Sequence, residues 1–274
     1  MSRPSKKRTD RAAELLAESV TQLMNSETFK AALRFRRKLH SYSFRNAWLI
    51  YCQLPEASMI AGYRRWQELG RQVRKGEKSL AIFAPLTRKN DEGDKEVFGF
   101  RTASVFDVSQ TDGDDIPKLP RPEILTAEGE NIDQLKEVIG NYAIAKGFTL
   151  EYRPLKRSLG VYNLRNKKIA VDDGLPPLQT LKTLVHELAH ALMHSGQPIA
   201  EDKRHQYELE AESVTFIVCD ALNLDTSQYS FAYLANWAEN VNELLPAVNR
   251  ACKVADSILE ALSAPPVSAL AIAA

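Results

Sequence analysis

The run TLVHELAHALMH, residues 183–194, holds one glutamate and three histidines, at 186, 190 and 194. On a helix, His186 and His190 lie one turn apart on one face, so both imidazoles can reach one ion. Glu187 stands beside them and can take a proton from a water that the ion acidifies. The chemistry this predicts is zinc-assisted hydrolysis. Leu181, Leu184, Val185, Leu188, Ala189 and Leu192 supply the apolar body that a buried metal helix needs. His194 does not complete the set on the same helix, because eight residues span about 12 Å while zinc–nitrogen bonds are about 2 Å. It is expected as a helix-end histidine favoured by the negative end of the helix dipole.

The third ligand must come from another segment. The next helical stretch reads HQYELEAESVTFIVCDAL, and its stripe of Ala211, Thr215, Val218 and Leu222 extends back onto Glu208, with Glu212 beside it. A carboxylate on a core-facing stripe needs a counter-charge. Glu208 is therefore expected as the third metal ligand. Glu212 is expected to accept a hydrogen bond from a ligand histidine, and it is the rival for the ligand role. Glu201, Asp202 and Glu210 read as a solvated acidic patch. Two imidazoles and a carboxylate favour Zn2+, with Mn2+ and Ni2+ as alternatives. His205, Tyr207 and Tyr162 are candidates for stabilising an oxyanion.

The net charge of +1 hides an asymmetry. Residues 1–90 hold 19 Lys/Arg against 7 Asp/Glu, a net of +12, while residues 91–274 hold 17 against 28, a net of −11. Halves of opposite sign predict two domains with different partners, and a basic half suits a polyanion such as nucleic acid. Arg64, Arg65, Arg71, Arg74, Lys75 and Lys78 interleave with Tyr63 and Trp66, and Arg45 precedes them. Cations neutralise phosphates and exposed aromatic faces stack on unpaired bases, so the pattern predicts single-stranded DNA as a partner, with Trp66 as a stacking residue. Phe44 and Trp48 read as core.

The elements that must position these groups give an α+β chain of two domains. Helical spacing runs from about 9 to 39, and a second helix covers SYSFRNAWLIYCQL, capped by Ser41 or Ser43 and stopped by Pro55. GYRRWQELG is a short helical turn. A strand over residues 80–84, stopped by Pro85, is answered by VFGFRTASVFDV. The acidic, proline-rich stretch DVSQTDGDDIPKLPRPE reads as a linker, which places the DNA-binding domain at 1–112, the linker at 113–126, the metal domain at 127–262 and a tail at 263–274. In the metal domain a helix over 131–146, the strand FTLEYR and a hairpin in GVYNLRNKKIAVDD precede the motif helix. Pro176 and Pro177 sit at its start, where proline is tolerated. Cys52, Cys219 and Cys252 are far apart and odd in number, which predicts reduced thiols and a cytoplasmic protein. No apolar run reaches the ~18 residues of a spanning helix, so no membrane partner is expected. The polar start MSRPSKKRTD does not read as a secretory signal.

HELAHALMH followed by ELEAESVTF resembles the ImmA/IrrE-type metallopeptidases, a gluzincin-like pattern with a small antiparallel sheet before the metal helix. The resemblance implies that Glu208 is the ligand. SYSFRNAWLI, PEAS and GYRRWQELGRQVRKGEKSLAIFAP resemble the N-terminal single-stranded-DNA-binding domain of ArdC-like antirestriction proteins. This implies a plasmid- or mobile-element-type protein that shields incoming DNA from restriction, with a zinc peptidase domain acting on an unidentified protein substrate. Two other readings remain at this level: a regulatory endopeptidase that cleaves a repressor or another DNA-bound protein, and a non-catalytic binder braced by its metal.

Overall fold

The structure is a computed structural model and describes residues 6–89, 94–116, 131–156, 158–196, 203–226, 231, 234 and 241–263. The chain divides into two compact units, Met1–Leu119 and Pro120–Ala274. Residues 117–126 of the expected linker and 264–274 of the expected tail lie outside the described residues. Among the described residues, no helix is long and apolar enough to cross a membrane.

In the first unit, helix α1 (Lys6–Ser19) passes through a 3-10 turn (Val20–Met24) into α2 (Ser26–Lys38). The sequence predicts one continuous helical run here, and Asn25 breaks it. Its backbone is extended and its side-chain oxygen accepts from the N–H groups of Glu27 (3.0 Å) and Thr28 (3.1 Å), which starts a new helix. Helix α3 (Phe44–Gln53) begins at Ser43, whose hydroxyl accepts from Asn46 N. Then follow β1 (Ile60–Ala61), α4 (Tyr63–Glu68), β2 (Arg71–Val73), β3 (Leu80–Lys89), β4 (Lys95–Asp107), a 3-10 turn (Val108–Gln110) and β5 (Thr111–Gly113).

Strands β1, β4 and β3 form a sheet in that order, and β2 pairs with β5. Leu80, Ile82 and Val105 pack under Phe35, Leu39, Ala47 and Ile50. Strand β3 is an edge, and helix α3 covers part of it with two side-chain amides. Asn46 exchanges hydrogen bonds with the Phe83 backbone at 2.8 and 3.0 Å, and Gln53 does the same with Ala81 at 3.0 and 2.9 Å. These bonds satisfy peptide groups that an open edge would leave for water or another chain. Contrary to the sequence expectation, β3 does not stop at Pro85. An edge strand tolerates proline because one of its sides has no ladder to complete, and pairing continues to Lys89 across a bulge at Leu86/Thr87. The stretch expected as linker also begins late: Thr111–Gly113 are still paired with Arg71–Val73.

Trp66 corrects the expectation that it stacks on bases. Its side chain is wholly buried and its indole N–H donates to Phe106 O at 3.0 Å. The apolar ring has more to gain from the core than from solvent, and its one polar atom is satisfied there. Trp66→Ala should lower stability by about 3–5 kcal/mol in chemical denaturation, the cost of a large core deletion.

In the second unit, α5 (Ile132–Ala145) leads to β6 (Thr149–Tyr152), β7 (Gly160–Asn163), β8 (Lys168–Val171), α6 (Pro177–His194), α7 (Arg204–Ala221) and α8 (Val241–Ser263). Strand β8 is central. The hairpin partner β7 is antiparallel to it, and β6 adds a parallel strand on the other side. Ile169, Ala170 and Val171 are buried beneath α6. Helix α7 is apolar on most sides, which the sandwich between α6 and α8 explains. Cys219 and Cys252 are buried free thiols, and Cys52 is an exposed one.

Candidate functional site

Helix α6 buries Leu181, Leu184, Val185, Leu188 and Ala189, and this rotation presents His186 and His190 to α7. Helix α7 answers with Glu208 from its first turns. His186 Nε2 and His190 Nε2 are 3.1 Å apart, and Glu208 Oε2 lies 3.6 and 3.7 Å from them. One donor atom from each of the three lies within 4.8 Å of the others. Ligand atoms at zinc bond lengths of about 2.0–2.1 Å in a tetrahedron are about 3.3 Å apart, so the three residues fit one small dication. A donor set of two nitrogens and one oxygen leaves a fourth position open.

The electrostatics follow from burial. The two histidines hold the Glu208 carboxyl well below the usual carboxylate range. Burial disfavours the His186 imidazolium, but the hydrogen bond to Glu208 and the charges of Glu187, Glu208 and Glu212 outweigh it and raise its pKa. At His190 burial wins, and the pKa falls. Burial pushes the Glu187 carboxyl up to about 7, although His186 and the Tyr162 backbone N–H that bonds it pull the other way. A dication beside it would favour the carboxylate.

Glycine 160 of β7 lets the sheet approach this carboxylate. A Cβ there would sit 2.6 Å from Thr183 Cγ2 and 2.7 Å from Glu187 Cγ, closer than side chains tolerate. A cavity of 390 Å³ opens beside Glu187, with Leu159, Gly160, Gln179, Thr183, His186 and Thr215 in its wall. None of the three oxyanion candidates lines it. The Tyr162 ring lies edge-on to Phe148, the Tyr207 ring packs on His194 at 4.3 Å between centroids, and His205 is exposed.

One sequence reading needs correction. Glu210 is not solvated but 2% exposed. It accepts from His194 Nε2 at 2.9 Å and pairs with Arg250 of α8. His194 in turn places Nδ1 3.2 Å from His190 Nδ1. His194 thus makes a hydrogen bond to one ligand histidine, and Glu212, expected in such a role, faces the other, His186, through its charge. Glu212 is half-buried, and its carboxyl is pushed up to about 7 by desolvation, with His186 opposing and Glu208 adding to the rise. The signal for His194 was present in its spacing, four residues after His190, which places it on the same face one turn on. The role of Arg250 had no local signal.

On the first unit, Arg64, Arg65, Lys75 and Lys78 are exposed, as is Tyr63. Arg65 pairs with Glu68 at 2.9 Å. Arg71 and Arg74 serve the fold. The Arg71 guanidinium donates to Thr111 Oγ1 (2.8 Å), Thr111 O (2.9 Å), Gly113 O (3.2 Å) and Asp114 O, which ties β2 to β5. Arg74 pairs with Glu77 at 2.8 Å and Asp112 at 3.2 Å. Arg45 is half-buried, with its guanidinium over the rings of Phe83 and Phe100.

Residues 6–116 match the N-terminal domain of anti-restriction factor ArdC, and residues 145–242 match the IrrE N-terminal-like domain of the M78 peptidase family. The chain carries these two domains in that order. An uncharacterized protein of Bacillus anthracis is 26% identical over 284 residues, which cover 87% of this chain and 48% of that protein. The chain therefore spans about half the length of this curated relative. The metal-free crystal structure of the antirestriction protein ArdC from plasmid R388 aligns with a TM-score of 0.51 at 23% identity, covering 81% of this chain and 84% of that one. Its Mn(II)-bound form aligns at 0.50 and 22%, covering 81% and 87%. These two likenesses are of fold.

About one equivalent of divalent metal per chain is expected by elemental analysis, and chelation should lower the melting temperature. His186→Ala should abolish binding. His194→Ala should weaken metal affinity about 10- to 100-fold in a chelator competition, the usual effect of losing a partner behind a ligand.

Proposed function

We propose that this chain is a single-stranded-DNA-binding protein of antirestriction type whose second unit is a zinc-dependent peptidase. The observation that supports the peptidase reading is the convergence of His186, His190 and Glu208 beside Glu187, at the wall of an open cavity. A dication held by these three supplies Lewis acidity at the cavity, and their donor chemistry favours zinc.

The chain's own residues account for the remaining steps. The outer edge of β7 is unpaired among the described strands and lies against Glu187, so an extended peptide can add to it by main-chain hydrogen bonds. Leu159 and Val161, 51% and 40% exposed, offer apolar contact along this edge. Glu187 takes the proton of the attacking water and delivers it to the departing amine. Burial favours the protonated carboxyl that returns the proton, and a dication beside it would favour the carboxylate that accepts it. The second protein partner is thus an unfolded or extended segment, cleaved next to the cavity.

The DNA reading rests on the charge of residues 1–90 and on the exposed cations Arg64, Arg65, Lys75 and Lys78. Trp66 no longer contributes to it as first assigned, because its ring is buried, whereas Arg71 and Arg74 bond within the fold and Arg74 remains exposed. An affinity set by phosphate contacts falls with salt, with a log–log slope of about −0.7 per contact on single strands.

Glu187→Gln should keep the metal and reduce cleavage of labelled casein at least about a hundredfold; undiminished cleavage would sink the peptidase reading. Binding of a fluorescent oligothymidylate, followed by anisotropy, should weaken steeply as salt rises. A flat salt dependence would remove the phosphate contacts from the account.

A further inference from the structure

The β3–β4 hairpin carries an aromatic surface that the fold does not cover. Phe98 and Phe100 of β4 are 56% and 51% exposed, and Val97 between the hairpin's charges is 51% exposed. Rings of this size are seldom left in water without a partner. Two guanidinium groups already lie on them. The Arg45 centre is 4.4 Å from the Phe83 ring centroid and 4.5 Å from that of Phe100, and Arg88 is 5.8 Å from that of Phe98. Pro85 pairs opposite Phe100 and Thr102 opposite Phe83, so Phe83 and Phe100 share one face of the ribbon, while Phe98, the extra residue at the bulge, lies with Arg88 and Glu96 on the other.

We propose that Phe100, with Arg45 on its ring and Phe83 on the same face, forms the stacking platform for an unpaired base of single-stranded DNA. This rests on the DNA reading above and replaces Trp66 as its aromatic component. An aromatic face suits every base and a guanidinium adds cation–π attraction and a phosphate contact, so the pair recognises single strands without reading their sequence. A duplex, whose bases are already stacked, gains nothing from it. Arg45 supplies a cation at the Phe100 ring, and further along the hairpin Arg88, Lys89 and Lys95 alternate with Asp94 and Glu96, of which Glu96 is paired with Arg88 at 3.1 Å. The Arg45 cation on the ring disfavours a second copy of this face as the occupant.

The test uses the full chain and a fluorescein-labelled oligothymidylate. Phe100→Ala should weaken binding about tenfold, while Phe98→Ala on the opposite face should not, and the salt slope stays unchanged because no phosphate contact is lost. Phe100→Leu, which keeps apolar bulk without a π-face, should weaken it similarly, and Phe100→Tyr should restore it. An abasic oligomer of the same length should bind wild type and the Phe100→Ala variant alike. Melting temperature checks that the exposed positions leave the fold intact. Phe100→Ala and Phe100→Leu variants that bind oligothymidylate as tightly as wild type would overturn the platform and leave the DNA reading standing. A wild-type chain that binds no single strand would overturn both. A wild-type dimer that Phe100→Ala dissociates without altering DNA affinity would assign the face to a second copy and also overturn the proposal.

Discussion

Four glutamates stand in or against the interior of the second unit, and the cost of burying carboxylates is the constraint that arranges the rest of it. A buried charge persists only with compensation. Glu208 has two histidines, and Glu210 has His194 and Arg250. Glu187 and Glu212 are compensated less, which is why desolvation drives both carboxyls up to about 7. The arrangement is graded: one carboxylate is fixed as an anion among imidazoles, one is locked in an ion pair behind them, and one beside the cavity is left able to exchange a proton. Separating neighbouring carboxylates in this way assigns them different chemical tasks.

The same constraint explains why the helices cannot slide. Moving α7 by one turn against α6 would take Glu208 away from His186 and His190 and leave Glu210 without His194. The pairing of α7 with α8 through Arg250 adds a third element to this lock. Gly160 extends it to the sheet, since only the absence of a side chain lets β7 lie against Glu187. The metal site, the substrate edge and the core are thus parts of one packing solution.

The first unit solves a different problem, that of an exposed edge. Asn46 and Gln53 close the inner part of the β3 edge with paired amide bonds, and beyond Phe83 the hairpin leaves the cover of α3. The buried part is thereby protected from pairing with another chain, and the emergent part presents rings and guanidinium groups. Much of this unit was legible from local signals. Ser43 as a cap, α3 as a helix and the β3–β4 pairing follow from residue types and period. The break at Asn25 carries no proline or glycine to mark it, and only the cap bonds show the interruption. Pro85 misled because proline stops a central strand but not an edge one, and edge position is a property of the whole sheet.

By itself, the sequence determined the ingredients and their local order: the His-Glu-x-x-His helix, an acidic stripe on the helix after it, a basic half before an acidic one, and the exclusion of His194 from the ion that His186 and His190 face. Helical rise and periodicity are short-range physics, so they can be read from short stretches. What only the tertiary structure decided was which side chains meet across elements. Trp66 went to the core and Phe98 and Phe100 to the surface, although all three are aromatic residues in basic surroundings. Glu210 was buried and paired while its neighbours on the same helix took other roles. Arg71 turned to the backbone of β5. Burial is set by the packing of elements distant in sequence, and the fate of an aromatic ring or a charge depends on what that packing places beside it.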